Sequence, residues 1–226
     1  MKTFLLVLLI ATAVYAQNRT RINDASKAVD VDLHVVRCEN ADNTGTCGPL
    51  TVRFFRKKAT VPFQTIRLKE TSMWDPIPKA NVTRLYDEQS VINFRDFNFD
   101  GADDVAVCEG PYGGYGGPSY RMYLYSKTAK RFVFSKAFTE MNDGGLGMFE
   151  TDKKKKMHLV YSKSGCCWHQ TVGYDVFRGR PRKVYEFTED AIDAGEDMVK
   201  ITTKTLVNGR WRTQVKRAKV SEYYKQ

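Results

Sequence analysis

The chain has 226 residues, 12% of them aromatic, and a formal net charge of +10. No apolar run reaches the ~20 residues that a membrane-spanning helix needs, so no membrane span is expected. The positive charge points away from nucleic acid, which an exported protein seldom meets, and toward anionic wall polymers, lipid headgroups or an acidic protein, without choosing among them.

Residues 1–16 carry one Lys at position 2, an apolar run from Phe4 to Val14 and small residues before Gln17. This is the pattern of a secretory signal peptide and predicts a periplasmic or secreted protein. Residues 17–30 are polar and read as a flexible N-terminal arm. From 31 to 226 short alternating runs and turns follow one another. Cys38 and Cys47 bracket the turn-rich "ENADNTGT" and are expected to pair in an oxidising compartment. Cys108, Cys166 and Cys167 leave an odd number, and either adjacent cysteine can pair with Cys108 or with its neighbour.

"LTVRFFRK", "FQTIRLKE" and "SVINFRD" alternate as strands. "RMYLYSKTAKRFVFS" reads as a hairpin around Lys127–Lys130, and "TVGYDVFRGRPRKVYEF" as another with Gly179 and Pro181 in its turn. "KTLVNGRWRTQV" sets Asn208-Gly209 between two strand-like runs, a dipeptide that favours a two-residue hairpin because both residues tolerate positive φ. Only "TEDAIDAGEDMV" has any helical character. Hairpins in series without β-α alternation predict an all-β fold, in which antiparallel hairpins form a single compact propeller-like or sandwich domain ending in a basic C-terminal hairpin.

The stretch "DFNFDGADD" carries the most specific chemistry. Counted from Asp96, side-chain oxygens fall at positions 1, 3, 5 and 9 in Asp96, Asn98, Asp100 and Asp104. Gly101 sits where the chain must turn, and Ala102 can offer its carbonyl. A hard cation collects oxygens from one tight loop by this spacing, and a set without His or Cys favours Ca²⁺. Val107 stands where an EF-hand has its bidentate Glu, and the flanks read as strands. A structural role for the metal explains these residues with the fewest assumptions. Next comes "GPYGGYGGPSY", whose Tyr112, Tyr115 and Tyr120 place large rings on a segment poorly suited to a core. Such rings suit a partner-binding surface.

Catalytic signatures are not evident. The three His, at 34, 158 and 169, stand beside no nucleophile elbow. "SGCCWHQ" is a weak zinc candidate, because adjacent residues of a strand face opposite ways. The expectation is a protein that is not an enzyme.

The short form of the acidic loop, set between two strands, is similar to the calcium loops of FG-GAP and VCBS repeats, though it occurs once. Taken in order, "DFNFDGADDVAV", "EGPYGGYGGPSY", "RMYLYSKTAKRFVFS" and "SGCCWHQTVGYDVF" resemble the calcium-binding, propeller-like family of exported bacterial immunity proteins. Members of that family block lysozyme-like effectors of antibacterial type IV secretion. The resemblance implies one Ca²⁺ on Asp96, Asn98, Asp100 and Asp104, no catalysis, and a lysozyme-like effector or other peptidoglycan hydrolase as partner. A loop inserted into the hydrolase cleft is the expected mode, and cationic residues would speed association with its carboxylates. The alternative is a calcium-dependent adhesion or cell-wall-binding module that grips anionic glycan.

Overall fold

The structure, a computed structural model, describes residues 18–38, 46–72, 79–85 and 88–224. The expected signal peptide lies outside them. The described residues fold into three antiparallel sheets made in sequence order, in which consecutive strands are neighbours except that the last short strand of the first sheet pairs with the third strand and not the fourth. The all-β expectation holds.

The first sheet contains β1 (Asn18–Ile22), β2 (Val29–Cys38), β3 (Thr46–Arg56), β4 (Gln64–Leu68) and the short β5 (Thr71–Ser72). Part of the segment read as a loose arm is therefore strand: Asn18 to Ile22 pair with Val35 to Val31, and Arg19 holds the buried Asp32 carboxylate through Nε at 2.9 Å. The second sheet contains β6 (Ile92–Arg95), β7 (Asp104–Gly110), β8 (Ser119–Ser126) and β9 (Arg131–Phe134). The third contains β10 (Glu150–Asp152), β11 (Met157–Ser164), β12 (Trp168–Phe177), β13 (Arg180–Asp190), β14 (Met198–Val207) and β15 (Arg210–Lys219).

Alternation decides what each strand buries. Val29, Val31, Leu33 and Val35 of β2 point into one core with Leu50, Val52 and Phe54 of β3. β7 is an inner strand, and Asp104 to Cys108 are all buried. The Phe54 ring joins the first two sheets, with centroids 5.0 Å from Phe132 and 6.4 Å from Phe94. Each ring so buried contributes about 1.5–3 kcal/mol. The third sheet joins this core through Val160 and His158 of β11, the latter against the Phe97 and Phe149 rings, with Tyr174 and Val176 of β12 packed on the same core; β15 is exposed along nearly its whole length.

The Asn208-Gly209 turn forms as expected, with φ of 50° and 75°. The β12–β13 turn is Arg178-Gly179, while Pro181 is already within β13 opposite Val176. The "TEDAIDAGEDMV" segment is not helical: it ends β13, turns through residues 191–197 and begins β14. Gly195, with φ of 96°, belongs to that turn. Among the described residues the α-helices are α1 (Lys136–Met141) and α2 (Val220–Tyr223), and Gly114–Gly116 form a 3-10 turn. α1 forms because Phe138 and Met141, three residues apart, both reach the core. Among the described residues no helix is long and apolar enough to cross a membrane.

Cys38 and Cys47 are cross-strand partners and form the expected disulfide. Cys166 and Cys167 bond to each other in the β11–β12 turn, not on a strand. Cys108 is free and buried, and burial pushes its thiol pKa up.

Candidate functional site

The acidic loop spans the β6–β7 connection and ends on the first residue of β7. Asp104 is fully buried there. Its Oδ2 accepts the amides of Phe97 at 2.8 Å and Asn98 at 3.3 Å, and its Oδ1 accepts that of Tyr125 on β8 at 2.7 Å. One carboxylate thus closes the loop and ties it to the neighbouring strand. Burial pushes the Asp104 pKa up to about 7, opposed by the three amide bonds, which favour the ionised form.

The exposed half of the loop folds on itself. Asp96 Oδ1 accepts the Asp100 amide at 2.9 Å and its Oδ2 the Gly101 amide at 2.8 Å. Asn98 Oδ1 also accepts the Asp100 amide, at 3.0 Å, and Asp100 Oδ1 accepts that of Ala102 at 2.9 Å. The Lys127 ammonium donates to the Asp100 carbonyl at 2.6 Å and stands 3.5 Å from its carboxylate. The loop carboxylates are thus turned toward the loop's own amides. Among the described residues, no three His, Cys, Asp or Glu side chains converge in a ready-made metal cluster.

Phe97 and Phe99 carry the loop to the third sheet. His158, buried on β11, donates from Nε2 to the Phe97 carbonyl at 2.7 Å, and its Nδ1 accepts the Thr151 hydroxyl at 3.1 Å. Phe99 adopts a left-handed φ of 58° and stacks on the imidazole at 5.0 Å. Burial holds the His158 pKa down at about 4, so the ring is neutral near pH 7. The sequence reading gave His158 no structural role. The signal was available in "MHLVYS", where strand alternation places His158 on the face of the buried Val160.

Residues 111–118 form the second part of the site. A glycine-rich connection can be slack, but this one is fastened to the Gly-rich loop at 142–149. The Gly114 amide donates to the Gly145 carbonyl at 2.8 Å, and the Gly113 amide closes on Gly117 at 2.8 Å. Gly113 is required by this approach: a Cβ there would lie 2.8–3.0 Å from the carbonyl oxygens of Gly145, Gly117 and Pro118. The opposing loop is anchored by Gln89, which accepts the Met148 amide at 2.7 Å and donates to the Leu146 carbonyl at 3.2 Å.

From this base two rings project. Tyr112 is 61% exposed and Tyr115 is 64% exposed. The Tyr112 hydroxyl bonds the Glu70 carboxylate, and its ring walls an open cleft of about 420 Å³ also lined by Arg67, Lys69, Glu109 and Arg121. Glu109 is engaged by Arg121 at 2.5 Å. Tyr115 sits in the left-handed region, at φ 56° and ψ 33°, a strained conformation for a residue with a side chain. Its hydroxyl meets the Gly165 amide, and the Lys163 ammonium lies 4.9 Å from its ring. Tyr120 does not belong to this surface. It is 2% exposed and donates to the Ser90 carbonyl at 2.9 Å, because alternation along β8 turns it inward with Met122.

No protein-family model and no curated protein matches the chain. A solved structure described as a Xanthomonas type IV secretion system related protein is similar, with a TM-score of 0.69 and 23% identity. The match covers 90% of this chain and 96% of that one. At that identity the two share a fold.

Proposed function

We propose that the chain is an exported immunity-type inhibitor that blocks a lysozyme-like peptidoglycan hydrolase by placing the Tyr112–Tyr115 loop in its active-site cleft. The observation that carries this reading is the pairing of two exposed tyrosine rings with a backbone fastened in advance to the 142–149 loop. Rings presented on an ordered loop lose little freedom on binding, which leaves more of their contact energy as affinity. The secretion-system relation of the solved structure with this fold, and the signal-like N-terminus, support a setting outside the cytoplasm.

Calcium belongs to this reading as a structural ion. Asp96, Asn98, Asp100 and Asp104 would supply side-chain oxygens and Ala102 a carbonyl. The donor set fits a hard cation: it is all oxygen, it lies on one loop, and a carboxylate oxygen that accepts one amide keeps a further lone pair. Its role would be to brace the junction where Asp104 and His158 join the second and third sheets, and Lys127 would have to leave Asp100.

The test is peptidoglycan hydrolysis by lysozyme-like enzymes of the same organism, with and without the purified protein, in calcium and in chelator. Stoichiometric loss of activity is expected. The double variant Tyr112→Ala/Tyr115→Ala should keep the wild-type melting temperature and lose inhibition. Full inhibition by that variant would place the anchoring surface elsewhere. Salt-sensitive sedimentation with the wall, with no inhibition, would favour a wall-binding module.

A further inference from the structure

The six-stranded sheet ends on β15, which has no strand beside it on its outer side among the described residues. β15 pairs with β14 from Lys219 opposite Met198 to Arg210 opposite Val207, with no register shift. Alternate N–H and C=O groups of such a strand face outward unpaired. Natural edges are blunted by short length, Pro, bulges or a covering element. β15 is 10 residues long and has neither Pro nor a bulge. Among the described residues, charge alone guards it.

That charge has a pattern. Arg210, Arg212, Lys216, Arg217 and Lys219 carry it, no Asp or Glu falls within the strand, and none of the five is in an ion pair among the described residues. Alternation puts Arg210, Arg212 and Lys216 on one face. Trp211 and Val215 lie on the other and are 45% and 54% exposed. The edge therefore shows Arg210, Arg212 and Lys216 on one side, and on the opposite side the apolar pair Trp211 and Val215 followed by Arg217 and Lys219 toward the strand's C-terminal end.

We propose that β15 receives an extended segment of a partner protein as a seventh strand, with carboxylates beside Arg210, Arg212 and Lys216 alternating with apolar side chains beside Trp211 and Val215. Main-chain pairing supplies the affinity in strand addition, and alternate side chains supply the selection. A second copy of this chain is the wrong occupant, since β15 against β15 sets cationic strand on cationic strand, and like charges opposite one another destabilise a pair. An anionic polysaccharide would use the charges and leave the backbone row and the apolar pair unused. This surface is independent of the tyrosine loop.

The test uses the full chain and a capped synthetic (Glu-Val)5 peptide, with (Glu-Ser)5, (Lys-Val)5 and heparin as comparators, read by amide hydrogen exchange. Binding of (Glu-Val)5 with slowed exchange at alternate amides of residues 210–219, weaker binding of (Glu-Ser)5 and none of (Lys-Val)5 is the expected result. The variant Arg212→Glu/Lys216→Glu, checked for an unchanged melting temperature, should weaken (Glu-Val)5 binding about tenfold. Its failure to do so would overturn the assignment, as would binding of heparin and (Glu-Val)5 with no slowed amides, or no slowed amides at millimolar peptide. Dimerisation through this edge would also overturn it.

Discussion

β2 and β15 are both ten residues long and both pair along nearly their whole length, yet they do opposite things with their side chains. In β2, Val29, Val31, Leu33 and Val35 vanish into the core shared by the first two sheets. In β15 no residue is buried, and its apolar side chains face solvent. A regular ladder is thus no measure of what a strand contributes to stability. The ladder satisfies backbone groups in both places; only the first region adds the hydrophobic term.

The sharpest break of this comparison is Phe54→Ala, expected to cost about 3–5 kcal/mol in denaturant unfolding because it leaves a cavity between two sheets. His158 should follow. Its folded-state pKa of about 4 lies below the ordinary value of 6.5, so the unfolded chain binds the proton more readily between those values. Stability linked to His158 is complete above pH 6.5 and is lost as pH falls toward 4, by about 3 kcal/mol at most. Asp104, with its pKa raised to about 7, contributes a slope of the opposite sign over the same range. The His158 part is therefore read as the difference in melting temperature between wild type and His158→Gln, which should shrink from pH 7 to 5.

Gly113→Ala should cost about 1–3 kcal/mol and speed amide exchange in residues 111–118, since its Cβ would meet three carbonyl oxygens. An unchanged exchange pattern would mean that the loop is not held by close approach. If calcium binds the acidic loop, Lys127→Met should tighten it two- to fivefold, about 0.5–1 kcal/mol in calorimetric titration, by removing a competing cation. The smallest effect is Trp211→Ala, within about 0.5 kcal/mol of wild type. A cost near that of Phe54→Ala would erase the distinction between the two regions.

Much of this was legible from local pattern. Alternation in "RMYLYS" and the Asn208-Gly209 dipeptide specify hairpins because strand period and turn φ are properties of neighbouring residues. The acidic loop was legible too, since its oxygens lie within nine consecutive residues. Tyr120 was misread because a Gly-rich neighbourhood looks exposed up to the point where β8 begins, although the alternation of Tyr120 with Met122 already marks that start. The helical reading of "TEDAIDAGEDMV" failed for the converse reason: two flanking strands claimed its ends and left only a turn between them.

By itself, the sequence determined an all-β chain of successive hairpins, the Cys38–Cys47 pairing and the spacing of the acidic loop, all set by residues close along the chain. The tertiary structure alone decided that His158 binds the acidic loop to the third sheet and that the 142–149 loop holds the tyrosines. It also decided that Tyr120 is core and that β15 ends as a bare cationic edge. Those outcomes depend on which surfaces meet after the sheets pack, and burial is a property of the meeting and of no single segment.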